Sequence, residues 1–147
     1  AEVIWAAWQP FARGYMFWRS DRDWTYALTF SGDDKMQGSY ETGGDAWRWD
    51  NSFPEGRGLT PPAGQIEPIR GFGFVWFGKL GGPDSDIGWA TEQEKGICVT
   101  RQEFERGVIV KSTTVAFCGD NLYNMAQEPG FAPVLLALHG DGTWRRY

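Results

Sequence analysis

Apolar and polar residues alternate with a period of two along four stretches of this chain, and the stretches fall into two related sets. From Gly14 to Trp18 the alternation puts Tyr15 and Phe17 on one face and Met16 and Trp18 on the other. From Gly107 to Lys111 it puts Val108 and Val110 on the first face and Ile109 and Lys111 on the second. Only the first face is apolar in both stretches, so it is the face expected in the core. The next pair behaves alike. Tyr26, Leu28 and Phe30 in one run match Val134, Leu136 and Leu138 in the other, and each run ends in a Gly-Asp turn at Gly32-Asp33 or Gly140-Asp141.

The frame that joins these runs also recurs. Gln9-Pro10-Phe11-Ala12-Arg13-Gly14 returns as Gln102-Glu103-Phe104-Glu105-Arg106-Gly107. Each copy has an Arg-Gly pair between two β-prone runs, where glycine supplies the positive φ of a tight turn. Lead-in strands precede both, Val3 to Trp8 and Ile97 to Arg101. The expected fold is therefore all-β: two tandem β-hairpin or meander repeats packed as one small domain, joined by a Pro/Gly-rich strap. The expected boundaries are 1–50 for the first repeat, 51–68 for the connector and 69–147 for the second repeat. The connector holds Pro54, Pro61, Pro62 and Pro68, which cannot donate to a central ladder.

Beyond the connector, Arg70 to Gly78 reads as a further strand, with Phe72, Phe74 and Trp76 on one side. The one short helix expected lies at Ala90 to Lys95, with Thr91 as a cap and Glu94 three residues on. The copies differ in one place. Between hairpin and next strand the first has only Ser20 to Asp23, whereas the second carries an insertion over 114–131. A long insertion in one of two equivalent turns is often a functional feature. This one holds Phe117, Tyr123 and Met125, which makes it a candidate partner-binding surface.

Cys98 precedes the second hairpin and Cys118 lies in the insertion. Folding the hairpin about Arg106-Gly107 brings Cys98 opposite residues 113–115, a few positions short of Cys118. A disulfide there would stabilise by about 3 kcal/mol through the entropy of loop closure. Two free buried thiols in a cytosolic protein are the alternative.

Composition narrows the partners. With 147 residues and 41% hydrophobic content the chain suits about one globular domain. Fourteen Lys and Arg against 19 Asp and Glu give a net charge of −5, which disfavours nucleic acid and anionic lipid. No run reaches the ~20 apolar residues of a membrane-spanning helix, so no membrane insertion is expected. Ala1 would be a natural first residue after a small-residue signal-peptidase site, and an extracellular location is expected. Nine Trp beside 20 Gly suit short strands and raise the prospect of a binding surface.

Catalytic signatures do not emerge. The one histidine, His139, flanks a turn, and no serine stands in a nucleophile elbow. Asp84-Ser85-Asp86 and Gly119-Asp120-Asn121 offer oxygen atoms but lack the twelve-residue EF-hand frame, so solvated turns are expected. No cofactor, metal or catalytic residue is assigned. A glycoside hydrolase using two of the 19 acids is the outlying alternative.

Ile87-Gly88-Trp89-Ala90-Thr91-Glu92-Gln93-Glu94, followed by Gln102-x-Phe104-x-x-Gly107-x-Ile109, resembles the LGFP-type repeat of secreted bacterial envelope proteins. About 25 residues carry the likeness, with Ile87, Trp89 and Ala90 standing where that pattern has Leu, Phe and Pro. The resemblance implies a non-catalytic module of the bacterial cell surface. Two modes of action are then expected. One is assembly with other protein subunits. The other is recognition of cell-wall glycan by exposed indoles, for which Trp18, Trp24, Trp47 and Trp49 lie near turns or on the less apolar face.

Overall fold

A computed structural model describes residues 1–119 and 122–147. The all-β expectation holds at the level of class: eight antiparallel strands close into a barrel. In chain order the strands are β1 (Glu2–Phe11), β2 (Gly14–Arg19), β3 (Trp24–Ser31), β4 (Asp34–Thr42), β5 (Lys95–Phe104), β6 (Gly107–Ser112), β7 (Phe117–Cys118), β8 (Leu122–Tyr123), β9 (Leu135–His139) and β10 (Thr143–Arg146). Around the barrel the order is β1-β2-β3-β4-β10-β9-β6-β5, and β5 returns to pair with β1. β7 and β8 form a separate two-stranded ladder.

The period-two pattern sets which side chains fill the barrel. Ile4, Ala6 and Trp8 of β1 meet Tyr15 and Phe17 of β2, Tyr26 and Leu28 of β3, Val108 and Val110 of β6, and Leu136 and Leu138 of β9, all buried. An eight-stranded barrel is just wide enough for side chains to fill, or to hold one small ligand near an end. Trp144 of β10 is accommodated by a glycine. A Cβ at Gly38 would lie 1.7 Å from the Thr29 carbonyl oxygen, and that same oxygen accepts the Trp144 indole N–H at 3.0 Å.

Residues 43–94, between β4 and β5, form a long outer strap that includes the 51–68 connector, and here two expectations are corrected. Arg70–Gly78 is not a strand but the helix α1. Its buried residues are Phe72, Val75 and Trp76, an i, i+3, i+4 set, so the run satisfies a helical period as well as an alternating one. A closed barrel has no free edge for another strand to join, and the segment satisfies its backbone internally instead. Conversely, Ala90 to Lys95 is not helical. Ala90 bridges to Phe11 and Ile66, Thr91 N–H donates to the Pro10 carbonyl at 3.0 Å, and Lys95 opens β5.

A third correction concerns the second face of β2. Met16, placed on the less buried face, is fully buried. It sits in a second core outside the barrel, where Ala7, Phe11 and Met16 meet Phe72, Val75, Trp76 and Ile87. Trp76 donates its indole N–H to the Gly88 carbonyl at 2.8 Å. Arg13 donates to the carbonyls of Ser85 and Asp86, fastening the same loop to the β1–β2 turn. Between Gly56 and Glu67 the strap is held by the Glu67 carboxylate, which accepts from the N–H groups of Arg57 and Leu59.

The disulfide is present. Cys98 and Cys118 are bonded, with Cα atoms 6.0 Å apart, and join β5 to the insertion.

Candidate functional site

The two ends of the barrel differ. One is closed by charge. Arg19, 1% exposed, makes a two-pronged ion pair with Asp21 at 2.8 Å and reaches Glu103 at 2.6 Å. Arg101 joins Asp21 at 2.8 Å and Glu2 at 2.7 Å, and Arg22 lies 3.4 Å from Glu103. Burial pushes the Asp21 carboxyl up, but the hydrogen bond from Arg19 and the charges of Arg19, Arg101 and Arg22 hold it below its ordinary value.

The other end is open beneath a cap, and it holds a cavity of about 480 Å³. Its wall comes from the inward residues nearest the rim: Trp8 of β1, Tyr15 of β2 and Phe30 at the end of β3. Trp8 and Tyr15 stack with centroids 4.6 Å apart, and Phe30 meets Tyr15 edge-on at 5.1 Å. Among the described residues three basic ones share the lining, Lys35, Lys95 and Arg146, with one acidic residue, Glu92. Lys95 stands opposite Trp8 in the β1–β5 ladder, and Arg146 follows Trp144 two residues on along the same face of β10.

Arg146 is anchored. Its guanidinium carbon lies 5.5 Å from the centroid of Trp8 and 5.3 Å from that of Tyr15. It donates to the Tyr15 hydroxyl at 3.0 Å and to the Pro133 carbonyl at 3.1 Å. The Tyr15 hydroxyl in turn donates to the Lys35 carbonyl at 3.2 Å, which ties the β3–β4 turn to the rim.

The cap is the insertion. Its stems meet at the rim, where Ser112 N–H donates to the Val134 carbonyl and the Ser112 hydroxyl accepts from Val134 N–H. Ala126 is buried, and Met125 and Phe131 pack on the barrel interior. Asn124, fully buried, holds the cap down. Its Oδ1 accepts from the N–H groups of Cys98 and Ala126, and its Nδ2 donates to the carbonyls of Thr113 and Val115. All its side-chain hydrogen-bonding capacity apart from spare lone pairs is thus used. Asn124→Ala is expected to lower stability by about 2 kcal/mol, because two buried N–H groups lose their acceptor. Urea unfolding of the oxidised protein measures this.

The indoles singled out in the sequence are half-buried rather than exposed. Trp18 lies on the outer face and donates to Asp23 at 2.8 Å, and Asp23 also pairs with Arg48 beside Trp47. Trp24 packs on the barrel interior with Arg22 5.1 Å from its ring centroid. Trp49 donates to the Ser52 carbonyl. In the insertion, Phe117 and Tyr123 are exposed and meet edge-on at 6.3 Å across the β7–β8 ladder, whereas Met125 faces the interior.

Tyr15 and Phe30 are legible as core residues from their alternation, whereas Lys35, Lys95 and Arg146 are not among the residues the sequence singled out. A signal existed. Lys95 and Arg146 stand two residues from the buried Ile97 and Trp144, each a charge continuing an apolar stripe at a strand end.

His139 is exposed at the end of β9, with its carbonyl accepting from the Tyr40 hydroxyl. Among the described residues no group of three or more His, Cys, Asp or Glu is placed to hold a metal ion. Of the two oxygen-rich turns, Asp84 begins the exit from a short 3-10 turn, while Asp120 and Asn121 lie outside the described residues. No helix among the described residues is long and apolar enough to cross a membrane.

These features define the class: a closed eight-stranded antiparallel barrel, sealed at one end by ion pairs and capped at the other over an aromatic and cationic cavity. Compared with protein-family models, curated proteins and solved structures, the chain matches none.

Proposed function

We propose that this protein is a non-enzymatic binding barrel that holds a small organic molecule in its capped mouth. The observation that carries this reading is the cavity of about 480 Å³ between the barrel rim and the insertion. That size lies within the range of small-molecule sites, which are mostly apolar with a few placed polar groups. The cap is fixed at two points, by the Cys98–Cys118 bond and by Asn124, so the site is preformed and little ordering is needed on binding.

The test uses a neutral ring probe, N-phenyl-1-naphthylamine, whose emission rises on transfer from water to an apolar site. Saturable binding at one probe per chain is expected. Ala132 lines the cavity yet is exposed, so Ala132→Trp should fill the site, abolish probe binding and leave the melting temperature unchanged. Probe binding that persists in Ala132→Trp would place it elsewhere and overturn the proposal.

A second reading is assembly with other protein subunits through the insertion. Val115, Phe117, Leu122 and Tyr123 are all exposed on or beside the β7–β8 ladder, an apolar group that a monomer has little reason to display. Sedimentation of Phe117→Ser with Tyr123→Ser against the parent would decide it, an unchanged profile at all concentrations counting against assembly. The extracellular setting, on the bacterial envelope by the LGFP-type likeness, belongs to the proposal. The disulfide supports it, since such bonds persist in oxidising compartments. We also read the barrel as descended from a duplicated four-stranded meander. In support, Tyr15, Phe17, Tyr26 and Leu28 share the barrel interior with their counterparts Val108, Val110, Val134 and Leu136.

A further inference from the structure

We propose that the occupant of the mouth is a flat-ringed organic anion, a carboxylate or sulfonate, with its charged group held by Lys35 and Lys95. This rests on the small-molecule reading above and adds the chemistry of the ligand. The first ground is charge placement. The chain carries a net charge of −5, yet among the described residues the cavity lining gathers three basic side chains against the single acidic one of Glu92. A cleft lined by one sign of charge with low-dielectric walls concentrates its field and attracts the opposite charge.

The second ground is the state of each cation. Arg146 is already committed, over the rings of Trp8 and Tyr15 and to two oxygen acceptors, so its main part is to make the inner wall positive. Lys95 lies over the Phe131 ring at 5.7 Å, and its one carboxylate partner among the described residues is Glu92, 3.6 Å away and 55% exposed. Such a surface pair is worth little and yields readily to a ligand anion. Lys35 has no carboxylate within ion-pair distance among the described residues, and its backbone is pinned by the Tyr15 hydroxyl. Two lysines without a strong carboxylate partner among the described residues thus contribute to the lining of a ring-walled cavity. A neutral ligand would leave them unused, whereas an anion gains charge-assisted hydrogen bonds.

Two probes with one ring system separate the parts of the inference. 8-Anilinonaphthalene-1-sulfonate is N-phenyl-1-naphthylamine with a sulfonate added. The sulfonate probe is expected to bind roughly tenfold or more tightly than the neutral one, the scale of one charge-assisted hydrogen bond. The double variant Lys35→Met, Lys95→Met should remove most of that preference and leave the neutral probe within about twofold. Lys111→Met, on an exposed outer position of β6, should change neither. Equal or tighter binding of the neutral probe would overturn the anion while leaving the cavity reading intact. A sulfonate preference that survives the double variant would overturn the assignment to Lys35 and Lys95. Failure of both probes to bind at one per chain would overturn the small-molecule reading itself.

Discussion

Arg19→Ala is expected to destabilise the folded protein by about 3 kcal/mol at neutral pH, an effect that shrinks in acid. Removing one partner of a buried ion pair typically costs about 3–5 kcal/mol, because the remaining charge is left desolvated. Arg19 is 1% exposed and serves both Asp21 and Glu103. The lower end of the range applies here. Asp21 keeps Arg101 at 2.8 Å, Glu103 keeps Arg22 at 3.4 Å, and both carboxylates are partly exposed. The pH dependence follows from Asp21. Its carboxyl is held below the ordinary 3.8 in the folded state, so its contribution is present above that pH and is lost as pH falls through the folded value. Arg19 is pushed further above an already high value and stays charged throughout, so it adds no slope of its own. Without Arg19 the Asp21 carboxyl moves back up and the parent loses its advantage in acid. Urea melts at pH 7 and pH 3 should show the gap between parent and variant narrowing. An equal gap at both would mean that Arg19 acts through packing rather than charge.

Trp76→Ala should cost about 3–5 kcal/mol, the range for deleting a large buried aromatic. Trp76 is fully buried where α1 meets the outer face of β1 and β2, and its indole N–H satisfies the Gly88 carbonyl. The loss should not spread evenly. The strap, residues 43–94, contributes no strand to the barrel, whose eight strands pair among themselves. Hydrogen exchange in the variant should therefore speed most in α1 and the 85–91 loop, while β5, β6 and β9 keep more of their protection. Uniform loss of protection would show that strap and barrel unfold as one unit and that the outer core stabilises both equally.

Local alternation was enough to identify β2, β3, β6 and β9 and their inward faces. Tyr15, Phe17, Tyr26, Leu28, Val110 and Leu136 could be assigned to the interior because alternation over a few residues is a local property of the chain. The disulfide was also legible, since hairpin register brought Cys98 near the insertion's root. The remaining features depend on partners remote in sequence. Whether Phe72, Val75 and Trp76 lie on a helix or a strand turned on barrel closure, which left no edge for an added strand. Met16 looked half-exposed until the strap, some 60 residues on, covered it. The cavity follows the same rule. Lys35, Lys95 and Arg146 are scattered over the chain and adjoin no common motif. They meet because β4, β5 and β10 each have an end at the same rim, and closing a barrel fixes which strand ends share a rim.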